Sequence, residues 1–323
     1  MNEMPRAFAC INKDNKTRNS SSSGGMFTLI ANEILEKNGV VFGVTFDENY
    51  NIIHTYAENK KDCEKFRGSK YVQSQIGNCL KKVNEFLDDE RYVLFTGTPC
   101  QIEGLKKYLN KEYEKLYTQD IICHGVPPHK VWERYLEYRK KQSGQNPENI
   151  SFRNKDYGWK KFSMKFEYKD GQNYINNLDQ DPYMQAFLRN TSLIESCYNC
   201  QFKKKNRTSD ITLADFWGIE NIAPEMDDDK GTSLVIINSE KGRQIFEQIK
   251  DKIIYKEVDF EKAIQYNPSM IKSVKLDPNR EKFFENLDQM PFDELVKKYT
   301  YKPTMFRRIL WKVKQIVREL LRI

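Results

Sequence analysis

Four of the seven cysteines in this chain sit where thiolate chemistry is natural. Cys197 and Cys200 form a Cys-x-x-Cys pair inside SCYNCQFKKKNRTSDITLADFWG, Ser196 to Gly218. A turn of two intervening residues lets both sulfurs reach one ion or one edge of a cluster, but two thiolates leave the coordination incomplete. Cys100 closes the run YVLFTGTPC and Cys123 closes TQDIIC, each at the end of a strand-like segment. If those strands are parallel neighbours, both cysteines reach the carboxyl edge, where open α/β sheets bind ligands. Three chemistries fit the four residues: an iron–sulfur cluster fed from separate segments, a four-cysteine zinc site, or small packing residues beside an incidental pair. Cys10, Cys63 and Cys79 lack such a context and read as packing residues.

Other candidates stand close by in sequence. His124 follows Cys123 and is a candidate proton donor, with a hydrogen-bonded turn before Gly125 and Pro127 as the plainer reading. Asp215, in ADFWG, could orient a ligand edge or simply start a turn. Lys203 to Lys205 and Arg207 could meet phosphate or an acidic partner, or form a solvated face. Asp179-Gln180-Asp181 has the form of a metal–nucleotide aspartate pair, a pattern that chance supplies readily in so charged a chain.

Two loops suit phosphate. SSSGG, Ser21 to Gly25, feeds an apolar helical pattern (Met26, Phe27, Ile30, Ile34, Leu35), and the free N–H groups and positive dipole of a helix start attract anions. A serine N-cap in a flexible loop explains the same residues. FRGSKYVQS, Phe66 to Ser74, offers a glycine for close approach, Lys70 for charge and Tyr71 for stacking. There is no Walker loop and no G-x-G-x-x-G fingerprint, which disfavours an ordinary Rossmann nicotinamide site.

The elements that must position these residues have a readable rhythm. The pattern predicts a strand over Arg6–Ile11, a helix closed by Asn38-Gly39, and a hairpin of Val40–Phe46 with Ile52–Tyr56. A helix over Ile76–Leu87 precedes strand Tyr92–Thr96, helix Gln101–Leu109, strand Leu116–Ile122 and helix Lys130–Lys141, the alternation of a parallel α/β unit. Ser143 to Asn149 reads as a linker. Beyond it come a hairpin of Phe162–Tyr168 and Asn173–Leu178, a short helix in PYMQAFLRN, a buried strand in SLVIIN, a helix over Glu240–Lys250 and a strand over Ile253–Val258. The expected architecture is α/β with α+β character: a parallel core, added hairpins and a proline-punctuated helical tail. The expected division is 1–145, 146–265 and 266–323.

Length and composition, 323 residues with 39% hydrophobic and 31% charged, describe a globular chain able to bury a sizeable core. The odd cysteine count and the polar start argue for a reducing, cytoplasmic setting with free thiols, and no apolar run is long enough to span a membrane. The net charge of +7 favours anionic partners, with no nucleic-acid motif among them. Much of it lies in Arg307, Arg308, Lys312, Lys314, Arg318 and Arg322, opposite an apolar face of Phe306, Ile309, Leu310, Val313 and Val317. An interfacial membrane helix over 304–323 fits that pattern; so do partner docking and plain packing.

SSSGGMFTLIA, FRGSKYVQS, FTGTPCQIEGLK, DIICHGVPPHKVW and SCYNCQFKKKNRTSDITLADFWGI occur in an order and spacing that resembles the beta-subunit family of coenzyme F(420) hydrogenases and dehydrogenases. The resemblance covers Phe8 to Glu261. It implies an α/β flavoprotein oxidoreductase holding FAD beside a four-iron (4Fe-4S) cluster and passing electrons between an iron–sulfur donor and a small organic acceptor, with a deazaflavin coenzyme as one co-substrate. It assigns the cluster to Cys100, Cys123, Cys197 and Cys200. It assigns the flavin to Ser22, Ser23, Gly24 and Gly25, to Gly68, Ser69, Lys70 and Tyr71, and to Thr96, Gly97, Thr98 and Pro99. Relatives often carry an N-terminal ferredoxin-like module and this chain starts after it, so a separate ferredoxin-type protein is the expected donor. Many bacterial relatives are encoded among polysaccharide-synthesis genes, which suggests a role there. A zinc-stabilised or metal-free binding protein is the alternative. Ala214, where glycine is common, and Pro128-His129 depart from the family pattern.

Overall fold

The computed structural model describes residues Pro5 to Thr300; the segment 304–323 expected to form an amphipathic helix lies outside the described residues. Eleven strands are β1 (Arg6–Asn12), β2 (Val40–Phe46), β3 (Ile52–Ala57), β4 (Val93–Thr96), β5 (Leu116–Ile121), β6 (Pro147–Asn154), β7 (Ser163–Tyr168), β8 (Asn173–Asn177), β9 (Ile211–Asp215), β10 (Ser233–Ile237) and β11 (Ile253–Val258). Eight of them form one sheet in the order β11-β1-β10-β9-β5-β4-β2-β3. Its centre, β2-β4-β5-β9, is parallel, and the strands outside it run antiparallel. The sheet takes strands from both sides of residue 145.

The central strands are apolar because both of their faces are covered. Every residue of VLFT (β4) and SLVII (β10) is buried. Helices Met26–Glu36 and Glu240–Ile249 cover one face, where Leu29, Ile30 and Ile34 meet Phe8, Val235 and Phe246. Helices Cys79–Asp88 and Pro99–Leu109 pack Val83, Leu87, Ile102 and Leu105 against Phe42, Val93 and Phe95. Burying these side chains contributes about 1.5–3 kcal/mol each and fixes the strand ends that carry the loops.

Between β5 and β9 the chain leaves the sheet and builds a second layer. Helix His129–Ser143, the antiparallel sheet β6-β7-β8 and helix Pro182–Leu188 enclose an aromatic core of Trp132, Tyr135, Phe152, Phe166 and Tyr183. Trp132 Nε1 donates to the Tyr50 carbonyl at 2.8 Å and pins this layer to the β2-β3 hairpin.

The parallel pairing of β4 with β5 is as expected. The stretch Ser143–Asn149 is not wholly a linker, because β6 begins at Pro147. Irregularities between Pro147 and Asn149 and between Ser151 and Asn154 break the period-two alternation that would have marked it. The stretch from 266 does contain helices, at Arg280–Glu285 and Phe292–Tyr299.

Candidate functional site

A cavity of about 630 Å³ opens along the carboxyl ends of the parallel strands. Val44 comes from β2, Thr96 to Thr98 follow β4, Ile122 to Gly125 follow β5, and Leu213 to Asp215 close β9. The Ser21–Ser23 and Arg67–Val72 loops and the apolar side chains Phe162, Phe187 and Trp217 complete the wall. The size and the mixture of apolar surface with a few convergent polar groups are those of a small-molecule site.

Three separated loops named from sequence meet here. Ser22 Oγ accepts from the Ser69 backbone N–H at 2.7 Å and from its hydroxyl at 2.9 Å, which ties the first loop to the second. Ser23 donates to the Thr232 carbonyl at 2.9 Å. Gly25 is left-handed (φ 83°) and starts helix Met26–Glu36 with no side chain capping the first turn. Gly24 does not line the cavity. A Cβ there would stand 2.4 Å from the Cys10 carbonyl oxygen and 2.8 Å from the Ser233 nitrogen, so this glycine serves close packing against β1 and β10. Gly68, Ser69, Lys70 and Tyr71 all line it, as do Thr96, Gly97 and Thr98; Pro99 is buried behind them as the first residue of its helix. Lys70 donates to the carbonyls of Lys65 and Arg67, and loss of hydration lowers its ammonium to about 7.

Asp215 has a partner that sequence reasoning missed. Arg153, at the far end of β6 and 5% exposed, pairs with it at 2.5 Å and donates to the Tyr71 hydroxyl at 3.0 Å. Trp159 Nε1 adds a contact to Asp215 at 3.3 Å. Gln119, one residue before Asp120 on β5, was also missed; it lines the cavity and its buried Oε1 has no partner. No periodicity or motif marks either residue, although a charged Arg at a strand position could have raised the question.

The four cysteines are free; Cys100 is exposed and Cys123, Cys197 and Cys200 are half-buried. Cys123 is on the cavity wall. Burial, then the charges of Cys197 and Cys100, push its thiol up to about 12, and burial, then Cys200 and Cys100, raises that of Cys197. Lys203 stands among them: burial lowers its ammonium while Cys123, Cys200 and Cys197 oppose that, and its Nζ donates to the His124 carbonyl at 2.9 Å. Gly125 (φ +149°) lets the turn pass, because a Cβ there would lie 2.9 Å from Leu193 Cδ1 and 3.3 Å from Cys197 Cβ. Among the described residues no three His, Cys, Asp or Glu side chains converge as ligands of a single ion. Four cysteines drawn from three segments are the ligand chemistry of an iron–sulfur cluster.

His124 donates from Nε2 to Asn190 Oδ1 at 2.8 Å, and burial, with Lys203 adding repulsion, lowers its pKa to about 4, so it is neutral at pH 7. Arg207 does not belong to a solvated cationic face. It is buried against Asp120 at 3.5 Å, while Lys204 and Lys205 pair on the surface with Glu103 and Glu261. Asp181 caps helix Pro182–Leu188 and accepts from the Met184 N–H and the Tyr174 hydroxyl, so this member of the aspartate pair is a fold element.

Strand order and site together define an α/β protein with a ligand cavity on the carboxyl edge of a parallel core and a free cysteine, Cys123, on its wall. The chain belongs to the coenzyme F(420) hydrogenase/dehydrogenase beta subunit family: the family's C-terminal sequence model matches residues 90–263 and its N-terminal model residues 7–81. Family membership makes the chain an oxidoreductase-type subunit. Its fold resembles that of a chain in the F(420)-reducing NiFe hydrogenase complex from Methanosarcina barkeri, with a TM-score of 0.56 at 14% identity, over 88% of this chain and 92% of that one. A comparison with curated protein sequences finds no match. Among the described residues no helix is long and apolar enough to cross a membrane.

Proposed function

We propose that this chain is a flavin- and iron–sulfur-dependent oxidoreductase subunit, taking electrons from a separate iron–sulfur protein and passing them to a small organic acceptor. The observation that carries the reading is the meeting of the Ser22, Ser69 and Thr98 loops with Cys123 on one cavity wall. Cys100, Cys123, Cys197 and Cys200 would hold a four-iron cluster and the cavity an FAD. Such groups, when bound, supply single-electron exchange and two-electron storage.

The chain's own residues do the positioning. The Gly25 helix start and the Ser22–Ser69 pair present backbone and hydroxyl groups to phosphate. Phe162, Phe187 and Trp217 offer apolar faces that exclude water from a planar ring, and Gln119 Oε1 accepts from a ring N–H. Arg153 holds Asp215 in place at the rim. Lys203 places a positive charge beside the thiolates and offsets part of theirs.

The test is anaerobic reconstitution of the purified chain with iron, sulfide and FAD. We expect a brown product whose visible bands bleach with dithionite, with iron and FAD recovered on denaturation, and loss of iron when any of the four cysteines becomes serine. A colourless product, or stoichiometric zinc without iron after anaerobic purification, would reject the reading.

A further inference from the structure

His54 was not singled out in the sequence, yet it begins a hydrogen-bonded chain that ends on a cysteine of the proposed cluster. It is 5% exposed and stacks on Phe95 with the ring planes 7° apart. Its Nε2 lies 3.1 Å from the Thr96 carbonyl oxygen, which can only accept, so Nε2 carries the proton. Nδ1 is then a bare acceptor, and Ser74 Oγ at 2.9 Å must donate to it. Having spent its proton there, Ser74 accepts from Gln101 Nε2 at 2.9 Å. This leaves Gln101 Oε1 facing Thr98, whose backbone N–H it accepts at 2.9 Å. The opposite amide orientation would set two donors against each other at Thr98, so every direction in the chain is determined.

One proton remains to be placed. The Thr98 hydroxyl has Gln101 Oε1 at 3.1 Å and Cys100 Sγ at 3.0 Å. Gln101 Oε1 keeps a second lone pair within reach of the same hydroxyl, but a sulfur ligating a metal has lost its own proton, carries charge and can only accept, which makes it the stronger acceptor of the two.

We propose that Thr98 is a tuning residue of the redox centre, its hydroxyl donating to Cys100 Sγ, and that His54, Ser74 and Gln101 are positioning residues that, through the bond from the Thr98 N–H to Gln101 Oε1, hold the Thr98 backbone where its hydroxyl reaches that sulfur. The proposal rests on the cluster reading above. A donor to a ligating sulfur stabilises the reduced centre more than the oxidised one, because the added electron increases the charge on sulfur, and so raises the reduction potential. Cys100 is the second residue of the helix Pro99–Leu109 and is exposed, so without the hydroxyl its sulfur would face solvent alone on that side.

Two measurements test this on the full chain. In the metal-free protein labelled with 15N-histidine, His54 should show a protonated Nε2 and a bare Nδ1; the reverse tautomer overturns the relay. After anaerobic reconstitution, a potentiometric titration should give Thr98→Val a lower midpoint potential than the wild type, and Thr98→Ser should restore it. Equal potentials for wild type and Thr98→Val overturn the proposal. If Thr98→Val does not fold, Gln101→Leu, which releases the Thr98 N–H and with it the backbone that places the hydroxyl, should give an intermediate fall, and an unchanged potential there also overturns it. A wild-type chain that takes up no cluster refutes the proposed function, while the histidine measurement still decides the relay.

Discussion

Arg153 and Asp215 form an ion pair 2.5 Å long across the cavity wall, joining the small sheet to the last residue of β9. The guanidinium is also stacked over Phe162 at 3.9 Å and bonded to Tyr71, so three loops and both sheets meet at one charged contact. Buried pairs of this kind are costly to break on one side, because the survivor keeps its charge without compensation. Arg153→Met should therefore destabilise the chain by about 3–5 kcal/mol in urea unfolding. The double variant Arg153→Met/Asp215→Leu should recover part of that loss; no recovery would show that the pair does not act as a unit.

Asp120 predicts a stability change with pH. Burial raises its carboxyl from 3.8 to about 6 even with Arg207 opposing the shift. The folded state thus binds this proton more tightly than the unfolded chain, so the stability it contributes is present below about 3.8 and is lost as pH rises through about 6. The loss amounts to at most about 3 kcal/mol. Comparing wild type with Asp120→Asn between these limits should show the wild type falling relative to the variant; parallel curves would remove Asp120 as the cause.

Lys70 predicts proton uptake on ligand binding. Its ammonium, lowered to about 7 by burial, is mostly neutral at pH 8, and an anion placed beside it favours the charged form. Titrating FAD into the metal-free chain at pH 8, in buffers of different ionisation enthalpy, should reveal uptake of up to one proton. Lys70→Met should abolish the uptake, and an unchanged signal would place the anion elsewhere.

Gly125→Ala should impair the thiolate group and leave the fold intact. The added methyl meets Leu193 and Cys197 at a backbone conformation that non-glycine residues avoid. Overpacking of this sort costs about 1–3 kcal/mol and displaces the Cys197 turn. Iron bound per chain after reconstitution should drop while the far-ultraviolet circular dichroism stays the same; full iron loading would show that the turn yields without moving the sulfur.

Ser22→Ala should leave the Ser69 N–H and hydroxyl without their acceptor, a loss of about 1–3 kcal/mol. The loss should lower the thermal unfolding midpoint, and because that bond joins two walls of the cavity it should also weaken FAD binding as read by fluorescence quenching; an unchanged midpoint and affinity would show that the bond ties nothing together.

The cysteines, the Ser-Gly and Gly-Ser-Lys loops and the parallel pair β4-β5 were legible in the sequence, because each depends on residues close together in the chain. Strand periodicity, helix starts and a Cys-x-x-Cys turn are local facts. β6 was not legible, since its two irregularities erase the alternation by which a strand announces itself. The same loss concealed Arg153. His54 and Gln119 were hidden for a different reason: each belongs to an ordinary apolar strand, and only packing decides that one closes a relay and the other faces the cavity with a free acceptor.

By itself, then, the sequence determined the family, the α/β class and the set of side chains available for redox chemistry. The tertiary structure alone decided which of them meet. Arg153 reaches Asp215 across 62 residues, and Lys203 reaches the turn after β5 across 79. It also withdrew Arg207 from the surface and Gly24 from the cavity wall. Such meetings are set by strand order and register, which are properties of the whole sheet, so no local pattern of residues can encode them.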